Sequence, residues 1–140
     1  SATSVHGAFW MEGGGCIFAE NEAMRWLVSL TGLPEGAFGV FTSGGTEANL
    51  SAMVAAREAW READPSRATT RGLIITSAGA HSSVRAMAKV IDADVMLIDT
   101  EGRLGSEMLA ERISLLTPEE RSRFFAVVAT AGTTNAGIID

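Results

Sequence analysis

Residues 38–62 read FGVFTSGGTEANLSAMVAAREAWRE, and this stretch decides the fold. Phe38-Gly39-Val40-Phe41 is a short run of β character that breaks at Ser43-Gly44-Gly45. Beyond the break, Leu50, Met53, Val54 and Trp60 recur at the spacing of a helix with one apolar face. The reading is strand, tight glycine turn, helix. Outward from it the same alternation continues. Residues 64–66 form a loop, 73–76 an apolar strand, and 82–91 a helix carrying Val84, Met87, Ala88 and Ile91 on one face. Strand 95–98 and helix 107–116 follow, and then FFAVVAT at 124–130, the most continuous apolar run, is expected to be covered on both faces. Upstream, residues 20–30 form a helix that stops at Gly32 and Pro34, whereas 1–18, with Gly13, Gly14 and Gly15, reads as irregular. Strands alternating with helices predict an α/β fold with a mostly parallel sheet, flanking helices and a ligand crevice at the C-terminal ends of the strands.

Composition narrows the class. The chain has 140 residues, 46% of them hydrophobic and 20% charged, enough for one core but not two. Eleven Lys plus Arg against 17 Asp plus Glu give a formal charge of −6, which offers no footprint for a nucleic-acid backbone. Cys16, the lone cysteine, excludes an internal disulfide and a cysteine-based metal site, so no metal is expected. No apolar run is long enough to span a bilayer and residues 1–9 lack the layout of a signal peptide, so a cytoplasmic location without a membrane partner is expected.

In a parallel sheet the chemistry belongs just after the strands, and three polar clusters lie there. Thr42-Ser43-Gly44-Gly45-Thr46 leads into a helix N-terminus, where backbone N–H groups and the helix dipole favour an anion by about 0.3–2 kcal/mol. It matches neither the P-loop nor the dinucleotide glycine pattern, so an ordinary turn with Thr46 as cap is an equal reading of it alone. His81 sits in Ser77-Ala78-Gly79-Ala80-His81-Ser82-Ser83, whose small residues leave room for a flat ligand. Residues 129–137, ATAGTTNAG, bring Thr133 and Thr134 out of an apolar strand, which turn chemistry alone could also explain. His6, in the irregular segment, is the weaker histidine candidate. Asn49-Leu50-Ser51 fits a glycosylation pattern but falls inside a helix and is discounted.

Taken together and in order, FTSGGTEANLSAMVAAREA (41–59), AHSSVRAMAKVI (80–91) and VATAGTTNAGIID (128–140) resemble the group II pyridoxal-phosphate-dependent amino-acid decarboxylases, of the aromatic amino-acid, glutamate and diaminobutyrate kind. A weaker likeness extends upstream through AENE (19–22) and MRWL (24–27). The resemblance implies that residues 1–140 are part of the large domain of a fold-type I enzyme, with an N-terminal segment and a C-terminal half lying outside them. It implies pyridoxal 5'-phosphate as cofactor, its phosphate held by Gly44, Gly45 and Thr46 with Ser43 close by. His81 would stack on the pyridine ring as the catalytic histidine, and Thr134, with Thr133 second, would lie beside the ring. It further implies a small-molecule amino-acid substrate and a homodimer.

Asp140 resembles an acid that ends the third motif. The Schiff-base lysine and the acid that pairs with the pyridine nitrogen belong to later motifs that 1–140 does not contain, and Lys89 reads as a solvated helix residue. The segment alone is therefore expected to be inert. The other readings are a different fold-type I enzyme, such as a carbon-carbon lyase or a desulfurase, and a noncatalytic α/β module for a phosphorylated ligand.

Overall fold

A computed structural model describes residues 9–100 and 102–140; His6 lies outside them. The chain divides into two compact units, the first ending at Ser43 and the second spanning Gly44–Asp140.

The first unit is built on α1, Trp10–Thr31, which ends at Gly32 in the left-handed conformation (φ 66°) that glycine adopts without strain. The helix begins ten residues before the expected start and runs through Gly13–Gly15. Each glycine costs a helix roughly 1 kcal/mol relative to alanine, but the Trp10 indole lies one turn back against Gly14, where a Cβ would stand 3.4 Å from the ring. The expected strand at 38–41 does not form. No neighbouring strand offers it a ladder among the described residues, and the Phe41 N–H is taken by the Glu20 carboxylate at 3.0 Å. Phe38, Val40 and Phe41 are all exposed.

In the second unit the chain alternates as expected: α2 (Gly45–Glu62), β1 (Gly72–Ser77), α3 (Ser82–Val90), β2 (Ala93–Ile98), α4 (Ser106–Ser114), α5 (Pro118–Arg123) and β3 (Phe124–Val128). The loop at 64–66 is part of a single 3-10 turn, Pro65–Arg67, capped by Asp64. Helix α5 was not anticipated, although Thr117-Pro118-Glu119-Glu120 forms a reciprocal capping box, a start signal readable in the sequence. The sheet order is β2-β1-β3 and both pairings are parallel.

The two-residue period of β1 splits its side chains between two cores. Leu73 and Ile75 join Ile98, Leu104 and Leu116 on the α4 face, while Ile74 joins Ala88, Ile91 and Ala93 against α2 and α3. This is a three-layer arrangement with β1 buried from end to end. β3 departs from expectation: it ends at Val128 and is half-buried throughout, and among the described residues its strand partner is β1. Its register skips Phe125, whose ring stands 2.6 Å from where a Cβ on Gly72 would be, so this close approach requires glycine.

The two ends of the sheet are chemically unlike. At the N-terminal ends of the strands, Arg71 pairs with Asp92 at 2.5 Å and Asp94 at 2.8 Å, and Arg123 pairs with Asp94 at 2.7 Å. Hydrogen bonds from Arg123 and Arg71 hold the Asp94 carboxyl below the ordinary range despite some burial. The opposite end carries no such ion pairs among the described residues and holds the cleft.

Candidate cofactor site

Beyond the C-terminal ends of β1, β2 and β3, the loop at 78–82, Thr100 and Gly102 after β2, and the loop at 129–138 border a cleft of about 470 Å³. Gly79, Ala80, His81 and Ser82 line it from the β1 loop, Thr100 and Gly102 from the β2 loop, and Thr133, Thr134, Asn135, Ala136 and Ile138 from the β3 loop. The β1 loop stays short because Ala78 N–H still donates to Ile98 at 2.9 Å and Ala80 N–H turns back onto Ser77 at 3.1 Å. Gly79 is confined by Thr133, whose methyl would lie 3.4 Å from a Cβ there.

Asp140 draws the three loops together. Its carboxylate accepts from Leu104 N–H at 2.8 Å, Thr130 N–H at 3.0 Å and the Ser77 hydroxyl at 3.1 Å, which joins the β1 end to the chain after β2 and after β3. Burial pushes its pKa up, but the Leu104, Thr130 and Ser77 donors outweigh it and the net direction is downward. The backbone reinforces the clasp, since Asp140 N–H donates to Thr130 at 2.9 Å and Ile139 bridges Ala131. A carboxylate ending a loop motif was visible in the sequence, but the three donors that meet on it come from residues up to 63 positions apart.

His81 is the N-cap of α3. Its Nδ1 accepts the Ser83 N–H at 3.2 Å and lies 2.9 Å from Ser83 Oγ, which in turn accepts from Asn49 Nδ2 at 3.1 Å. An imidazole in place of the usual Ser or Asp cap fixes the ring at the mouth of the cleft. In the sequence Asn49, on the second turn of α2, shows only as part of a discounted glycosylation pattern, and Ser83 only as one of the small residues around His81. Thr133 stabilises its own loop: its hydroxyl oxygen accepts Ile138 N–H at 3.1 Å and its N–H donates to Ile138 at 2.9 Å. Thr134 has no such engagement.

The structure thus brings His81, Thr133 and Thr134 into one cleft. Gly44, Gly45 and Thr46 stand at the N-terminus of α2, with Gly44 as its N-cap, and are not among the lining residues. Their link to the cleft is the Asn49–Ser83–His81 chain. Ser43 falls in the first unit. Lys89 is exposed on the last turn of α3, as a solvated residue should be. Among the described residues no helix is long and apolar enough to cross a membrane.

The residues fit a phosphorylated, flat ligand. Nothing lies within 4 Å of where a Cβ would stand on Gly44 or Gly45, and a helix N-terminus is a place that favours an anion. The cleft walls are hydroxyls, small residues, the Asn135 amide, Ile138 and an imidazole.

Comparison with known proteins gives the family. Residues 3–140 match the family model described as the pyridoxal-dependent decarboxylase conserved domain. The chain is 36% identical over its whole length to L-2,4-diaminobutyrate decarboxylase of Rhizobium meliloti, covering 28% of that protein. It is 32% identical, again over its whole length, to aromatic-L-amino-acid decarboxylase of Bacillus atrophaeus, covering 29% of it. The Oryza sativa TDC structure with PLP and tryptamine superposes with a TM-score of 0.77 at 22% identity, over 97% of this chain and 33% of that one, a likeness of fold. The chain therefore spans less than a third of the length of these curated relatives.

Proposed function

Because the chain belongs to the pyridoxal-dependent decarboxylase family, we propose that it supplies the phosphate-loop and ring-stacking part of a pyridoxal 5'-phosphate site in a protein that removes carbon dioxide from an amino acid. The observation that carries this reading is the placement of His81 as a capping residue at the mouth of a cleft shared with Thr133 and Thr134.

Gly44, Gly45 and Thr46 would hold the phosphate, with Ser43 near it, using backbone N–H groups and the Thr46 hydroxyl at the positive end of α2. The chemistry that pyridoxal phosphate supplies is an electron sink for the pair left on Cα when carbon dioxide departs. His81 would lay its ring face against the pyridine and limit its tilt, and Thr134, whose hydroxyl is not used by its own loop, would donate to the ring's substituents. Asp140 holds the β1, β2 and β3 loops at a fixed separation, so that these side chains keep their spacing. The covalent anchor and the acid for the pyridine nitrogen would come from other parts of the full-length protein. The family resemblance supports a homodimer, to whose interface Trp10, Phe18 and Trp26, exposed on α1, would be available. A cytoplasmic location fits the exposed free thiol of Cys16.

The test is carbon dioxide release by the full-length protein loaded with pyridoxal phosphate and offered aromatic amino acids, glutamate and diaminobutyrate. Release from at least one of them is expected, and His81→Ala should lower kcat by about 100-fold, within the usual span for a group acting on the reacting atoms, while retaining bound cofactor. Unchanged turnover in His81→Ala would remove His81 from the chemistry. Products that retain the carboxylate would remove decarboxylation.

A further inference from the structure

We propose that Ser83 and Asn49 are positioning residues that fix the proton of neutral His81 on Nε2. The direction of the relay follows from which partners can only donate. The Ser83 backbone N–H, 3.2 Å from His81 Nδ1, has a proton to give and no lone pair to offer, so Nδ1 must present its own lone pair. Ser83 Oγ, 2.9 Å from the same nitrogen, already accepts from the Asn49 amide at 3.1 Å, which leaves its hydroxyl proton free to point at Nδ1. Two donors therefore converge on Nδ1, and the proton of the neutral ring resides on Nε2. Ser83 is buried, so a hydroxyl with neither partner would be costly, and both its lone pair and its proton have uses here.

His81 Nε2 has no partner among the described residues, and the ring lines the cleft. What His81 offers a molecule in the cleft is thus an N–H donor. Giving that proton away would leave an imidazolate, so the neutral ring serves as a hydrogen-bond donor to an anionic group. On the reading given under Proposed function, that group is the carboxylate of the amino acid. The relay begins on the second turn of α2, whose first residue, Gly45, belongs to the phosphate loop, so the same helix that would receive the phosphate also sets the donor edge of His81.

Nitrogen-15 NMR of the histidine rings in the full-length protein, with and without pyridoxal phosphate, tests the relay directly, the His81 signals being identified by their loss in His81→Gln. The expected spectrum shows a protonated Nε2 and a bare, hydrogen-bonded Nδ1. In Ser83→Ala the Nδ1 resonance should move towards that of an unbonded nitrogen, and Ser83→Thr should restore it. In turnover, Ser83→Ala should lower kcat by about three- to tenfold, the worth of one hydrogen bond, with cofactor content unchanged, and adding Asn49→Ala should cost no more than Ser83→Ala alone. A proton on Nδ1 in the unmodified protein, or fully additive losses in the double variant, overturns the relay. Full turnover in His81→Ala would defeat the catalytic reading only, because the ring spectrum decides the tautomer whether or not the protein is active.

Discussion

The two ends of the three-stranded sheet use polar residues in opposite ways. At the N-terminal end, Arg71, Asp92, Asp94 and Arg123 neutralise one another in full-length side-chain pairs at the surface. At the C-terminal end the polar groups that line or brace the cleft are short: threonine and serine hydroxyls, backbone N–H groups, the Asn135 amide, the His81 imidazole and the Asp140 carboxylate, arranged around open volume. Charges that find partners within the chain close a surface. Small donors held by a single half-buried acceptor leave room for something else, and the difference marks which end can take a ligand.

Two substitutions sharpen this contrast. At the ligand end, Asp140→Asn replaces one of the acceptor oxygens that receive Leu104, Thr130 and Ser77 with an amide donor, and should cost about 1–3 kcal/mol in unfolding by denaturant, the penalty of leaving a partly buried N–H unmet. The same change should flatten the acid limb of stability. Because the folded pKa of Asp140 is depressed, its contribution is complete above the ordinary value of 3.8 and is lost as pH falls through the lower folded value. An Asn variant as stable as the parent at pH 7, with the same acid limb, would mean that the clasp does not hold the loops. At the opposite end, Asp94→Asn should cost no more than about 1 kcal/mol in the same measurement, since its side chain is 41% exposed and such pairs are screened by solvent. Turnover of the full-length protein should be unchanged. A large loss of activity there would erase the distinction between the ends.

Most of the second unit was legible because its signals are local. Glycine turns, an apolar period of 3.6 and short β-branched runs marked β1, α3, β2 and α4 within a residue or two, and the Gly44-Gly45 break set the start of α2. What failed depended on neighbours. FFAVVAT reads as a strand covered on both faces, yet β3 is half-buried and has one strand partner among the described residues, a fact of topology rather than of composition. FGVF at 38–41 has strand character without a ladder to join. The start of α1 was hidden because three glycines outweigh helix signals unless the Trp10 indole is known to lie against them. For the site, His81 and the two threonines could be named from their loops. The Asn49–Ser83 relay and the Asp140 clasp could not, since each joins groups tens of residues apart through hydrogen bonds that leave no periodic trace.

The central claim is that the loops following β1 and β3 and the N-terminus of α2 serve one cofactor. A crystal structure of the full-length protein with pyridoxal phosphate tests it most directly. The account expects the His81 ring within about 4 Å of the pyridine face, the contact distance of packed groups, with Thr134 at the ring's edge and the phosphate on the N–H groups of Gly44 and Gly45. Pyridoxal phosphate bound with His81 and Thr134 out of contact, or with its phosphate away from the start of α2, would contradict it.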